Sequence, residues 1–261
     1  NRAALDEVAQ MMGGLAYMTG PPGRPLRAGA SVIDVTGGMF GAIAILAALE
    51  ERRRTGLGQE VKCSLFETTA FLVGQHMAQM AVTGVAAKPM PARVSAWAIY
   101  DVFKTKDAQQ VFVGVVSDAQ WPAFCRGFAL DEFIADESLA LNNQRVEARD
   151  RILPKVRELF ASLTAADLLA KLETVGLPFA PICRPEDLFD DPQLQAQGLV
   201  DVTLADGRTT SLPALPVEIG QQRMGVRIDV PSAGQQSREI LSGLGLGGGE
   251  IDTLIAAGAV A

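Results

Sequence analysis

Residues 30–41, Ala-Ser-Val-Ile-Asp-Val-Thr-Gly-Gly-Met-Phe-Gly, place the single carboxylate of Asp34 between an apolar β-branched run and a cluster of glycines. The β-branched run favours a strand, so we expect an extended segment over 29–34. Small and apolar residues at helical spacing follow, and they predict a helix over 36–54 that ends at the glycines of 55–58. The sequence therefore predicts that Asp34 lies at a glycine-rich turn where a long helix begins.

Two interpretations of Asp34 are open at this point. An aspartate before a helix is a favoured N-cap, because its carboxylate accepts backbone N–H bonds and complements the helix dipole. The same position suits a catalytic carboxylate nucleophile, provided that one oxygen is free and water is kept out. Gly37 and Gly38 either allow close helix packing or support the site with backbone N–H donors.

The composition argues against several classes of protein. The net charge of the 261 residues is −7 and no basic patch stands out, so we expect no nucleic-acid partner. Cys63, Cys125 and Cys183 are far apart, which argues against a disulfide framework and fits a reducing cytoplasm. The single histidine, His76, lies in an apolar helical pattern, so we interpret it as a helix residue and expect no metal site. The longest apolar run, 39–49, is too short for a membrane span.

Hydrophobic periodicity divides the rest of the chain. It predicts a helix over 3–17, a strand over 60–65, a helix over 66–83 closed by glycine, and a proline-rich crossing over 85–95. Beyond the crossing it predicts an α+β region, with strands at 99–103, 111–116 and 177–183 and strand signals over 199–219. It predicts helices at 119–128, 144–160 and 164–174, further helices that open at 185 and at 191, and two short helices in the tail 235–261. We therefore expect a large-domain segment at 1–84, a small α+β domain at 85–195, and a segment at 196–261 that returns to the large domain.

Four separated segments together share a pattern with one enzyme family. They are Leu-Asp-Glu-Val-Ala-Gln followed by Gly-Gly-Leu and Thr-Gly within 5–20, the Asp34 segment, Thr-Gly-Leu-Gly-Gln within 41–65, and Gly-Leu-Pro with Asp-Pro-Gln within 176–198. This set resembles the family III CoA-transferases, which include formyl-CoA transferase and carnitine CoA-transferase. The resemblance covers essentially the whole chain.

The resemblance implies an α/β fold, in which a Rossmann-like large domain and a small α+β domain belong to an interlocked homodimer. It also implies that the sequence starts inside a longer protein, because the family has a long segment before its aspartate. The implied substrates are an acyl-CoA and a carboxylic acid, with coenzyme A as a substrate moiety. No metal and no tightly bound cofactor is implied.

The resemblance further implies that Asp34 attacks the thioester carbonyl and passes through a mixed anhydride and an aspartyl-CoA thioester. Asp6 matches an acidic family position near the site, so we expect it to support Asp34. Arg93, Ser95 and Trp97 lie where a small-domain loop could face the site as substrate-binding residues. An arginine there suits the second carboxylate of a dicarboxylate, although Arg93 is equally typical of a solvated linker.

Two alternatives stay open beside the transferase hypothesis. The α-methylacyl-CoA racemases resemble the chain at Asp34, but Leu5 stands where those enzymes have their histidine. Without that group the acid–base pair that racemisation requires is incomplete. The other alternative is a non-catalytic CoA-binding protein that keeps the same fold. Residues 92–97 also lack the glycine run of formyl-CoA transferases, which argues against formyl-CoA and oxalate as substrates.

Overall fold

A 24-residue helix with little of its surface covered is the longest element of the computed structural model, which describes residues 4–260. The N-terminal helices are α1 (Asp6–Met12), α2 (Leu15–Thr19), α3 (Val32–Thr55), α4 (Leu65–Leu72) and α5 (Gly74–Thr83). The helix predicted over 3–17 is confirmed in part, because Gly14 adopts φ 86° and separates α1 from α2. Residue 3, where that prediction begins, lies outside the described residues.

Two strands predicted in this region are wrong. Helix α3 already begins at Val32, and residues 57–64 form irregular chain up to α4. Within residues 4–260, no strand pairs with 29–34 or 60–65. A β-branched run forms a strand only where a neighbouring strand satisfies its backbone and packs its side chains. The same residues therefore form helix or loop here.

The end of α3 and its packing against α4 follow from glycines. Gly56 ends α3 with φ 77°, a left-handed conformation that allows its N–H to bond the carbonyl of Arg52, as the sequence predicts. Gly37 is buried where α3 meets α4, and a Cβ atom there would lie 2.8 Å from Cδ2 of Leu65. These glycines set the length of α3 and its distance from α4.

The described chain divides into two compact units. The first unit runs to Tyr100 and resumes at Val115–Leu153, and the second comprises Asp101–Gly114 and the chain from Pro154. After Val115 the first unit contains α6 (Gln120–Gly127), α7 (Asp131–Ala135), α8 (Asn142–Glu147) and the start of α9 (Arg149–Ala161). The division at 1–84, 85–195 and 196–261 stays a prediction.

The second unit is built on small antiparallel sheets, with strands and helices close to those predicted. Strands β1 (Tyr100–Lys104), β2 (Gln110–Gly114) and β3 (Phe179–Pro181) form one sheet in the order β1-β2-β3, with Phe112 opposite Ala180. Strands β4 (Leu199–Thr203) and β5 (Thr209–Pro213) form a hairpin, and β6 (Glu218–Ile219) and β7 (Gln222–Arg223) form another. The α-helices of this unit are the rest of α9, α10 (Ala165–Val175), α11 (Ser237–Gly243) and α12 (Gly248–Ala256). Where the sequence predicts helices that open at 185 and 191, the chain forms a 3₁₀ helix (Pro185–Asp190) and a π-helical turn (Leu194–Gly198).

The cores of both units consist of apolar and aromatic side chains. In the second unit the Phe103 and Phe160 rings meet edge to face at 5.0 Å, beside the buried Leu168 and Leu172. In the first unit Trp121 stacks near Phe133 at 5.9 Å. The first unit has a second cluster around Ile33, Ala9 and Ala16, which joins the N-terminal helices.

Within residues 4–260, one helix is long and apolar enough to cross a membrane, and this helix is α3. Core helices of soluble proteins have the same length and composition. The absence of a membrane span therefore stays a prediction.

Candidate active site

Asp34 is the third residue of α3, and its side chain is exposed. Ser31 occupies the N-cap position, so the interpretation of Asp34 as the N-cap is wrong. Within residues 4–260, the Asp34 carboxylate has no hydrogen-bond or ion-pair partner. The one bond between Asp34 and another side chain there is donated by its backbone N–H. Both carboxylate oxygens are therefore available to a ligand.

A second carboxylate, that of Asp6, caps α3 from outside the helix. Oδ2 of Asp6 accepts the N–H of Ile33 at 2.8 Å and the N–H of Asp34 at 3.2 Å. The side chain of Ser31 makes no capping bond. Asp6 thus satisfies two of the N–H groups that a helix start leaves without an intrahelical partner. Asp6 holds the backbone of Asp34 while leaving its side chain free.

The electrostatics of Asp6 follow from this role. Burial of the carboxyl raises its pKa, but the hydrogen bonds from Ile33, the Gln10 amide and Asp34, together with the charge of Arg27, outweigh burial and lower the pKa below its ordinary value. The carboxylate is almost fully buried. Asp6 is therefore a charged anchor inside the unit.

Gln10 completes this arrangement and is a residue that the sequence reasoning missed. Its Nε2 donates to Oδ1 of Asp6 at 2.5 Å, and its Oε1 accepts the N–H of Ala28 at 2.8 Å. Asp6 and Gln10 are four residues apart and therefore lie on the same face of α1. That spacing was visible in the sequence. The partners of the pair in 28–34 were not, because only the tertiary fold brings them near α1.

Gly37 and Gly38 do not lie in a turn, which corrects the expected geometry of the site. Both are inside α3, where backbone N–H groups face the preceding turn of the helix. Gly37 packs against α4, whereas Gly38 is exposed and has open space around it. The close-packing interpretation is confirmed for Gly37. The support of Asp34 by these glycines stays a prediction.

The three loop residues predicted to bind substrate separate into two groups. Arg93 lines a cavity together with His76 and Lys88. Ser95 accepts the N–H of Trp97 at 3.3 Å, and the Trp97 ring lies 4.9 Å from the ring of Tyr100. Ser95 and Trp97 thus hold their own segment in place. Contact of any of the three with substrate stays a prediction.

The cysteines offer an alternative nucleophile to test against Asp34. Burial raises the pKa of the Cys125 thiol to about 12, so its reactive thiolate is scarce at neutral pH. Cys63 is exposed, and its Sγ donates to the carbonyl of Gly37 at 3.3 Å. In residues 4–260, no group of three or more His, Cys, Asp or Glu side chains could hold a metal ion. Cys183 is also exposed. Asp34 presents an exposed carboxylate with no hydrogen-bond partner in residues 4–260, whereas the Cys125 thiol is buried and the Cys63 thiol is hydrogen-bonded.

The fold agrees with comparisons to known proteins. The model of CoA-transferase family III matches residues 1–237. Because the match covers most of the chain, the chain belongs to CoA-transferase family III. A crystal structure of a CaiB/BaiF family protein from Brucella suis is similar, with a TM-score of 0.77 and 26% identity over 93% of this chain and 63% of that one.

Two curated relatives carry names that describe a reaction. An acyl-CoA transferase of Fusarium pseudograminearum is 34% identical over 249 residues, which is 94% of this chain and 54% of that protein. A succinyl-CoA:glutarate CoA-transferase of Mus musculus is 30% identical over 263 residues, which is 100% of this chain and 60% of that protein. The chain thus spans little more than half the length of these relatives.

Proposed function

We propose that this chain carries the nucleophile of an enzyme that moves CoA from an acyl-CoA to a carboxylic acid, and that Asp34 is this nucleophile. Membership of the family supports CoA transfer between an acyl-CoA and an acid. The observation that carries the role of Asp34 is its exposed and unpaired carboxylate on a helix start that Asp6 caps from outside.

The proposed reaction consists of acyl transfers at three carbonyl carbons, namely that of the donor thioester, Cγ of Asp34 and that of the acceptor acid. An oxygen of Asp34 attacks the thioester carbon, and the C–S bond breaks. The CoA thiolate departs, and the acyl group remains bound to Asp34 as a mixed anhydride. The thiolate then attacks Cγ of Asp34, releases the donor acid and forms an aspartyl-CoA thioester. The acceptor carboxylate attacks Cγ, displaces the thiolate and forms a second anhydride. Attack of the thiolate on the acceptor carbonyl gives the new thioester and restores Asp34.

The structure supports this sequence of steps by holding the Asp34 backbone. A nucleophile that starts in the right orientation reacts with a smaller entropic cost. Two bonds from Asp6 fix the N–H groups of Ile33 and Asp34, and Gln10 in turn fixes Asp6. We propose Asp6 as a positioning residue and Gly37 and Gly38 as residues that keep side-chain bulk away from the carboxylate.

The substrates we propose are succinyl-CoA and a short dicarboxylic acid such as glutarate. The name of the mouse relative supports this choice. Arg93, Ser95 and Trp97 are the residues that we propose for contact with the acid. We also propose an interlocked homodimer in the cytoplasm, without nucleic acid, membrane or tightly bound cofactor, because the family resemblance and the cysteine pattern favour this assembly and location.

Covalent trapping tests the role of Asp34. The protein is incubated with succinyl-CoA, quenched with hydroxylamine or borohydride, and analysed by peptide mass spectrometry. We expect the modification only on the peptide that contains Asp34, and its loss in Asp34→Ala. Asp190→Ala is the matched control, because the Asp190 carboxylate is also exposed and has no hydrogen-bond or ion-pair partner in residues 4–260. Equal labelling of Asp34→Ala would contradict the proposal.

The same experiment separates the alternatives. A non-catalytic CoA-binding protein would bind CoA but would show no modification with any donor. A racemase would show no aspartyl adduct but would exchange the α-proton of a methylacyl-CoA in deuterated water. The absence of a histidine at position 5 argues against the racemase.

A further inference from the structure

A cavity of about 380 Å³ lies in the first unit, beside α2, α5 and the segment that follows α5. Its wall includes the cationic side chains of Lys88 and Arg93 and the only histidine of the chain, His76. Its other lining residues are small, apolar or amide side chains, namely Met18, Gln79, Val85, Ala86, Ala87 and Val94. None of the lining residues carries a negative charge.

This absence of acidic residues from the lining contrasts with the rest of the chain. The chain has 30 acidic and 23 basic residues, and its exposed arginines commonly have acidic partners, as Arg53 has Glu50 at 3.1 Å. Within residues 4–260, neither Lys88 nor Arg93 has an ion-pair partner. Cations of like sign that line one cavity repel each other, and a bound anion relieves that repulsion.

We infer that this cavity binds an oxyanionic group of a substrate, with Lys88 and Arg93 as its charge partners. The planar guanidinium of Arg93 suits two oxygens of one carboxylate or phosphate, and the Lys88 ammonium adds a point charge. The side chains of Met18, Val85 and Val94 provide apolar contact for a short carbon chain. A carboxylate of a dicarboxylic acid meets both requirements. A phosphate of CoA shares the oxyanion chemistry.

The position of Gln79 gives the cavity a fixed edge. Its Nε2 donates to the carbonyl of Val85 at 3.4 Å, which joins α5 to the segment that bears Lys88. Pro89 is buried directly after Lys88 and restricts the backbone at that point. Part of the wall is therefore held in place before a ligand enters.

Isothermal titration calorimetry on the intact protein tests the inference, with glutarate and CoA as separate probes. The inference rests on the proposed function only for the choice of these probes, because binding requires no turnover. We expect the dissociation constant of at least one probe to rise tenfold or more in the double variant Lys88→Gln/Arg93→Gln. Loss of glutarate binding identifies a carboxylate as the ligand group, and loss of CoA binding identifies a phosphate.

Matched variants keep the outcome interpretable. Arg227→Gln removes an exposed arginine that has no ion-pair partner in residues 4–260, and we expect the dissociation constants of this variant to stay within twofold of those of the unchanged protein. Arg93→Lys keeps the charge, so we expect its loss of affinity for the probe to lie between that of the unchanged protein and that of the double variant. A folding defect would not give this graded loss of affinity. Unchanged binding of both probes by the double variant, or no binding of either probe by the unchanged protein, would overturn the inference. If covalent trapping at Asp34 fails while the unchanged protein still binds a probe through Lys88 and Arg93, this inference stands, so failure of covalent catalysis remains distinguishable from failure of this site.

Discussion

The geometry of the candidate site depends on the carboxylate of Asp6. It is 27 residues away from Ile33 in sequence, yet it supplies the cap that the side chain of Ser31 does not. Removing such an acceptor leaves buried N–H groups without partners, at a cost of about 1–3 kcal/mol. Because one of these N–H groups belongs to Asp34, the same loss would loosen the proposed nucleophile.

The lowered pKa of Asp6 makes its contribution to stability dependent on pH. In the unfolded chain Asp6 takes up a proton near the ordinary aspartate pKa of about 3.9. In the native protein its carboxylate is still charged at that pH, because its pKa is lowered. Its stabilisation is therefore fully present above that value and is lost as the pH falls through the lower native pKa. We expect Asp6→Asn to reduce the free energy of unfolding at pH 7. Below pH ~4 the free energies of unfolding of the variant and the unchanged protein should become progressively more similar.

Urea unfolding at a series of pH values measures this difference. Asp190→Asn serves as the control, because the Asp190 carboxylate is exposed and makes no hydrogen bond within residues 4–260. A difference between Asp6→Asn and the unchanged protein that is independent of pH would show that the charge of Asp6 is not what stabilises α3.

The sequence indicated candidate residues for the site but not how those residues are arranged. Asp34 was singled out from its local pattern and Asp6 from the family resemblance, and the Asp6 side chain, which belongs to α1, bonds the backbone of Asp34 at the start of α3. The bond between the Asp6 side chain and the Asp34 backbone could not be predicted, because it depends on how α1 packs against α3. Gln10 was missed for the same reason, although its spacing from Asp6 was visible.

At the scale of elements, the contact between α3 and α4 distinguishes two neighbouring glycines. A Cβ atom on Gly37 would approach Cδ2 of Leu65 to 2.8 Å, whereas a Cβ atom on Gly38 would meet nothing within 4 Å. Replacing glycine by alanine inside a helix stabilises it by roughly 0.5–1 kcal/mol when there is room. We expect Gly38→Ala to show this gain in the free energy of unfolding. We expect Gly37→Ala to show no such gain, so that Gly38→Ala is the more stable variant by about 1 kcal/mol.

Thermal and urea unfolding of the two variants test this expectation under identical conditions. The side chain of Leu65 is the atom group that must move, so Leu65→Ala should narrow the difference between the two alanine variants. If Gly37→Ala and Gly38→Ala are equally stable while Leu65 is unchanged, α3 and α4 are farther apart than in the structure.

The elements that the sequence predicted well are those with local signals. Thr164 begins α10 as expected, because its side chain accepts the N–H of Asp167 at 3.2 Å. The helix end at Gly56 is also local in origin. The strands expected over 29–34 and 60–65 required partners from elsewhere in the chain. Since strand propensity depends on such partners, the local pattern was insufficient there.

At the scale of the whole molecule, the exposed surface of α3 is the least ordinary feature of the chain. Val35 is 62% exposed, Met39 58%, Ile43 59% and Leu46 67%, although all are large apolar residues. Contiguous apolar surface of this kind marks an interaction site or a tendency to associate. The hydrophobic effect therefore favours covering α3 when the chain is free in water.

We expect the 261-residue chain, expressed alone, to bind the dye ANS and to self-associate, because association covers the apolar face of α3. Sedimentation velocity over a concentration series measures the association, and Ile43→Ser/Leu46→Ser should shift the chain towards monomer and lower the dye fluorescence. The control Val82→Ser/Ile228→Ser changes residues that are 85% and 70% exposed but lie outside α3, and it should leave both readings unchanged. Flotation with lipid vesicles that is abolished by the α3 variant would instead indicate that a membrane covers this helix. A monomeric chain that binds no dye would contradict the exposure of α3 that the structure shows.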